Sequence, residues 1–244
     1  MSPDGPARRP GFALLHGAGL GPWIWRDVAP LLRFPHLACG YPGRSARDPT
    51  AGKRLADYAD HVVRQIAGWD VEGVILVAHS IGGVVALPVA EALAPRIRGL
   101  VGLSAVVPAD GGSFVSAFPL PRRVLIGTMI RLLGTRPPAS VMRASVAGDV
   151  TDELAAELVE RFTPESRRLY TDPAASPVPS VPLLYIRTTD DRELPPHLQD
   201  RVIEQLGSAR VVDLASGHLS MLGAPAALAA VLNDFAASLE ATSS

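Results

Sequence analysis

The stretch that most constrains this chain runs from Gly73 to Gly83, GVILVA followed by HSIGG. Gly73 to Ala78 carries no polar side chain, so a strand made from it must be covered on both faces. That is the position of an inner strand in a parallel sheet. The serine and two glycines that follow demand an abrupt turn, and the small apolar residues from Ile81 to Leu93 are compatible with a helix.

The rest of the chain repeats this alternation. Phe12 to Leu15, Ile97 to Leu103, Leu183 to Arg187 and Arg210 to Leu214 read as buried strands. Leu55 to Ile66 places Leu55, Ala59, Val62, Val63 and Ile66 at helical spacing, Val28 to Leu32 reads as a helical piece, and Ala226 to Leu239 as a closing amphipathic helix. Strands alternating with helices predict a mostly parallel α/β sheet flanked by helices. From about Pro108 to Pro182 the strands stop. Val124 to Leu133 and Asp152 to Phe162 read as helices, the second with Thr151 as N-cap and acids in its first turn. The expected organisation is a core of residues 11–107 and 181–240, a small helical lid at 108–180, and flexible ends at 1–10 and 241–244.

With 244 residues, 48% of them apolar, the chain can bury one sizeable core. A formal charge of −1 gives no footing for nucleic acid or an anionic membrane. Lys53 is the only lysine among 23 basic residues, which reads as codon bias. The lone Cys39 closes no intrachain disulfide, and no apolar run reaches the ~20 residues that cross a bilayer. The simplest expectation is a cytoplasmic enzyme.

Ser80 lies where the strand turns into the helix. Such a turn lifts the hydroxyl above the sheet edge and tolerates only small residues two positions away, here Ala78 and Gly82. The first amides of the helix have no intrahelical partner, so Ile81 N–H is free for a substrate oxyanion. The Gly-rich loop after the first strand, His16-Gly17-Ala18-Gly19, supplies Ala18 as the second donor, with His16 organising the loop.

A serine hydroxyl needs an imidazole to take its proton, and the imidazole needs a carboxylate to fix its tautomer. Both follow strand ends, the edge where open α/β sheets place their chemistry. Asp191 is preferred over its neighbour Asp190, and His218 stands in Gly217-His218-Leu219-Ser220-Met221-Leu222. The order Ser80, Asp191, His218 fits a nucleophile turn of this kind. Of the other histidines, His79 is expected to turn away from Ser80, and His36, His61 and His197 read as surface.

Together these pieces resemble the α/β-hydrolase superfamily from Phe12 to about Leu239, and in particular small esterases of the plant methylesterase, hydroxynitrile lyase and pyrethroid hydrolase kind. His16-Gly17-Ala18 with Trp23 and Trp25 is similar to their first loop, Ala105 to Gly111 to their entry into the lid, and Gly217 to Leu222 with Pro225 to their histidine loop. The resemblance implies an α/β-hydrolase fold, attack of serine on an ester carbonyl, hydrolysis of an acyl-enzyme, and a substrate lining of His16, Gly17, Trp25 and His79. Hydroxynitrile lyases carry Lys directly after the histidine and Thr at the place of Ala18. Leu219 and Ala18 stand there instead, which favours ester hydrolysis. The loop after the second strand, Cys39 to Ser45, departs from the family by lacking its Asp and being shorter. Ser104 stands where some members carry the acid, which adds weight to Asp191.

Phe114, Phe118, Leu120, Val124, Leu125, Ile126, Met129 and Ile130 are expected to wall an apolar pocket, pointing to a small to medium apolar ester. The alternatives are thioester or lactone chemistry, or a carbon–carbon lyase step, on the same residues. A non-enzymatic scaffold would need a damaged triad. Neither a metal-ligand cluster nor a phosphate or dinucleotide loop is present in the sequence, so no cofactor is expected.

Overall fold

The computed structural model describes residues 9–45, 48–109, 111–148 and 150–242. In chain order the elements are β1 (Gly11–Leu15), β2 (His36–Cys39), β3 (Arg44–Ser45), β4 (Asp48–Pro49), α1 (Leu55–Ala67), β5 (Val74–His79), α2 (Gly82–Ala92) and β6 (Ile97–Leu103). Then come α3 (Leu120–Leu133), α4 (Ala139–Val141), α5 (Asp152–Arg161), α6 (Arg167–Thr171), β7 (Leu183–Thr188), α7 (Pro196–Leu206), β8 (Arg210–Leu214), α8 (Ser220–Gly223) and α9 (Pro225–Thr242). A short 3-10 turn, Ala29–Leu31, occupies the region read as a helical piece, and another, Pro22–Trp25, precedes it.

Six strands form one sheet in the order β2-β1-β5-β6-β7-β8, every neighbouring pair parallel. Alternate side chains of a strand face opposite ways. Phe12, Leu14, Ile75 and Val77 therefore pack beneath α9, while Ala13, Leu15, Leu76 and Ala78 pack beneath α1 and α2. All residues of β1 and β5 are buried, as continuous apolar runs require.

β8 corrects the expectation of a buried strand. It ends the sheet, and only Leu214 among its five residues is buried. Arg187 bridges it with Nε and Nη2 to Asp213, both at 2.8 Å, which ties the exposed edge to β7.

Between β6 and β7 there is no strand among the described residues, and α3 to α6 lie there. α3 starts four residues earlier than its periodicity predicts, at Leu120. Thr151 caps α5, its hydroxyl accepting from Leu154 N at 3.4 Å. Of the ends expected to be flexible, Arg9 pairs with Glu240 and α9 runs on to Thr242; residues 1–8 and 243–244 lie outside the described residues, as does Asp110.

Candidate active site

Ser80 sits between β5 and α2 with φ +55°, a left-handed conformation that costs a non-glycine residue ~1–3 kcal/mol. Neighbouring backbone holds it there. Ser80 N donates to Leu103 O at 3.2 Å, and Ser80 O accepts from Gly83 N at 3.1 Å and Val106 N at 3.0 Å. The serine is half-buried and lines a cavity of about 240 Å³.

His218 lines the same cavity from the loop after β8. Its Nδ1 lies 2.8 Å from Asp191 Oδ2. A carboxylate there requires the proton on Nδ1 and leaves Nε2 as the basic nitrogen. Asp191 is 3% exposed and fully engaged. Oδ1 accepts from Glu193 N at 2.9 Å and Leu194 N at 2.7 Å, and Oδ2 also accepts from Thr188 Oγ1 at 3.0 Å. Burial pushes the Asp191 carboxyl up, but His218, the Leu194 amide and the Thr188 hydroxyl outweigh it and hold it below the usual carboxylate value. Asp190 is exposed.

Behind Asp191 is a chain of groups that sequence reasoning missed. Thr188 gives its proton to Asp191, so the Ser104 hydroxyl, in contact with Thr188 Oγ1, must donate to it. Gln199 Nε2 donates to Thr188 Oγ1 at 3.1 Å and to Thr188 O at 2.9 Å. Ser104, like Ser80, has a positive φ, +41°. Ser104 follows β6, the strand next to β7, and its own neighbourhood carries no signal of this contact.

The loop after β1 brings Gly17 and Ala18 to the cavity. His16 is buried beneath it, its ring 4.0 Å from that of Tyr41. Burial lowers its pKa to about 3, so the ring is neutral. Its Nδ1 lies 2.8 Å from Gly17 O, which also accepts from Leu20 N at 3.3 Å. The carbonyl of Gly17 and the amide of Ala18 share one trans peptide plane and point opposite ways. Fixing the carbonyl therefore aims the amide. Among the described residues, neither Ala18 N nor Ile81 N donates a hydrogen bond.

The expected substrate lining divides in two. Gly17 and His79 reach the cavity; His16 and Trp25 do not. Trp25 is instead fully buried in the core on the α9 side of the sheet, because the 3-10 turn carrying it folds inward there. His79 is also fully buried, and its Nε2 lies 2.9 Å from His218 O, a brace between the serine turn and the histidine loop. Burial holds its pKa well below the usual histidine value. His36 and His197 are exposed and His61 is half-buried.

The apolar wall differs from the one its sequence implies, and Leu133, Met142, Leu158 and Phe162 join it. Phe114, Phe118, Ile126, Met129 and Ile130 line the cavity. Leu120, Val124 and Leu125 are 70%, 61% and 59% exposed and do not, since they project from the opposite side of α3.

The model of the alpha/beta hydrolase family matches residues 12–231. The chain belongs to this family. Within it, 113 residues are 38% identical to a carbendazim hydrolyzing esterase from Nocardioides sp. (strain SG-4G), covering 44% of this chain and 47% of that esterase. The chain thus spans about half the length of that relative. A polyneuridine aldehyde esterase from Rauvolfia serpentina is 24% identical over 241 residues, covering 88% of this chain and 90% of its own length.

Among solved structures of this fold, an extracellular alpha/beta-hydrolase from a Paenibacillus species superposes with a TM-score of 0.80 at 21% identity, over 92% of this chain and 98% of that one. A pyrethroid hydrolase from Sphingobium faniae JZ-2 superposes at 0.77 with 24% identity, over 93% and 97%. The alpha/beta hydrolase fold and the likeness to small esterases are therefore as the sequence implies. Among the described residues, no group of three or more His, Cys, Asp or Glu side chains is gathered to hold a metal ion, and no helix is long and apolar enough to cross a membrane.

Proposed function

We propose that this protein is a serine hydrolase that cleaves carboxylic esters of small to medium apolar substrates through an acyl-enzyme. The observation that carries the reading is the 2.8 Å contact of His218 Nδ1 with Asp191, with Ser80 held at φ +55° on the same cavity.

In this mechanism His218 Nε2 takes the Ser80 hydroxyl proton as Oγ bonds to the ester carbonyl carbon. The amides of Ala18 and Ile81 hold the oxyanion, where one lost donor typically costs ~3 kcal/mol of barrier. Collapse expels the alcohol, which receives the proton from His218. Water, deprotonated by His218, then attacks the acyl-enzyme and releases the acid and free Ser80. Asp191 stays ionised and stabilises the imidazolium. Residues 108–180 serve as the lid over a core of 11–107 and 181–240, and the apolar side chains it lends the cavity, Phe114, Phe118, Met142 and Phe162 among them, favour an apolar acyl or alcohol part. Leu219, fully buried beside the base, offers no cation for a lyase step. We retain the cytoplasm as the compartment, in keeping with a lone, buried Cys39.

The test is turnover of p-nitrophenyl esters of varied acyl length, with labelling by a fluorophosphonate. Ser80→Ala lowers kcat at least ~1,000-fold and abolishes labelling. Labelling at another serine, or undiminished turnover by Ser80→Ala, overturns the reading.

A further inference from the structure

The reaction above leaves one buried carboxylate unused. Glu165, between α5 and α6, is 3% exposed. It is not idle. Oε1 accepts from Gly19 N at 3.2 Å and from Arg44 Nη2 at 2.5 Å. Oε2 accepts from Tyr58 Oη at 3.0 Å, and the Tyr58 oxygen in turn accepts from Ser166 N at 3.0 Å. The Glu165 carbonyl is held as well, by Thr135 Oγ1 at 2.6 Å.

These bonds meet at the loop that carries Ala18. Gly19 gives its N–H to Glu165, and its carbonyl accepts from Thr163 N at 2.9 Å. Both polar groups of Gly19 are thus held by one short segment, residues 163–165. The approach is close. Gly19 has φ +74°, and a Cβ there would lie 2.1 Å from the Phe162 ring, so no side chain fits. The peptide plane joining Ala18 to Gly19 is fixed through the Gly19 amide, and the plane joining Gly17 to Ala18 through the Gly17 carbonyl. Two fixed planes flank Ala18 Cα, which removes rotation about both of its backbone torsions.

Resting on the catalytic reading given above, we propose that Glu165 is a positioning residue that clamps the oxyanion loop through Gly19 and, together with the bonds to the Gly17 carbonyl, holds the direction of the Ala18 amide. A carboxylate suits this role because it takes three donors, from the loop, from Arg44 and from α1. An amide or an apolar group at this depth leaves one or more of them without a partner.

The clamp is tested with Glu165→Met, which removes every acceptor, and Glu165→Gln, which keeps a carbonyl oxygen for Gly19. Glu165→Met lowers kcat on a p-nitrophenyl ester by ~10- to 100-fold, in the range for loss of a group that orients a working one, with KM within ~3-fold. Glu165→Gln recovers at least ~5-fold of that loss. Hydrogen exchange of the peptide carrying Gly17 to Leu20, measured on the same proteins, rises in Glu165→Met. This readout needs no turnover. A wild type without Ser80-dependent turnover fells the catalytic reading, whereas unchanged exchange in Glu165→Met fells the clamp. So does a folded Glu165→Met with wild-type kcat, or equal kcat losses in both variants alongside equal losses of melting temperature. If Glu165→Met does not fold, Tyr58→Phe, which removes the Oε2 bond and the acceptor of Ser166 N but leaves the Gly19 and Arg44 bonds in place, decides the matter. Faster loop exchange and a ~2- to 5-fold lower kcat support the clamp, and no change in either overturns it.

Discussion

α2 and α3 are both apolar helices without a clear polar stripe, yet they have opposite fates. In α2, eight of eleven residues are buried, Gly82 to Leu87 without a break. In α3 only Ile130 is, and Leu132 is 71% exposed. A helix apolar all round is normally a core helix. α2 obeys because the sheet lies on one side and α1 on the other. α3 has the cavity on one side and solvent on the other, so half of its apolar surface stays bare. The serine thus stands on a close-packed base, and the cavity wall on α3 is packed from one side only. The proposed nucleophile is thereby fixed in position, as precise chemistry requires.

A matched pair of truncations puts the largest number on this contrast. Leu87→Ala on α2, where the side chain is 1% exposed, is expected to cost about 3 kcal/mol, against less than ~0.5 kcal/mol for Leu132→Ala on α3. Urea denaturation measures both, and similar costs would break the comparison.

Gly83→Ala sharpens it at the serine turn. The added Cβ would lie 2.5 Å from Val106 O, and the backbone there also bonds Ser80. A loss of about 2 kcal/mol in the same denaturation, with a fall in turnover, is expected. Tolerance of the methyl group would show that the base is softer than its packing implies.

Thr188→Val extends the rigid side to the acid. It withdraws a donor from Asp191 and leaves the Ser104 hydroxyl and Gln199 short of a partner. About 1–2 kcal/mol of stability and ~10-fold in kcat are expected to go, with KM little changed. Steady-state kinetics that move only KM would assign Thr188 to substrate contact instead.

The smallest effect belongs to the exposed side. Arg26 and Arg161 hydrogen-bond Glu157 and lower its pKa to about 2 from the ordinary 4.5. A carboxyl depressed on folding stabilises above its unfolded value and loses that effect as pH falls through the folded one. Glu157→Gln is expected to cost less than ~1 kcal/mol at pH 6, because the pair is solvated, and the gap to wild type closes between about 4.5 and 2. Melting curves at stepped pH check the sign; a gap that widens in acid would reverse it.

Ser80, Asp191, His218 and the Ala18 loop could be singled out from sequence because each lies just past an apolar strand, in a turn whose composition is unusual by itself. Glu165 could not. It lies in a proline-bounded stretch with nothing local to separate it from a solvated acid, and its partners are 146, 121 and 107 residues away. Trp25 failed the opposite way, since its neighbourhood resembled a substrate loop while its ring packs in the core.

The sequence by itself determined a parallel α/β sheet, five of its six strands and the strand ends that border the cavity, because burial on both faces and tight turns leave a local imprint of composition, whereas β2 and α7 lack that imprint. Only the tertiary structure decided which side of α3 meets the cavity, that β8 is an edge, and that a distant glutamate holds the loop beside the serine. Those outcomes depend on what a side chain meets across space, and residues far apart in sequence write no pattern of one another into their own neighbourhoods.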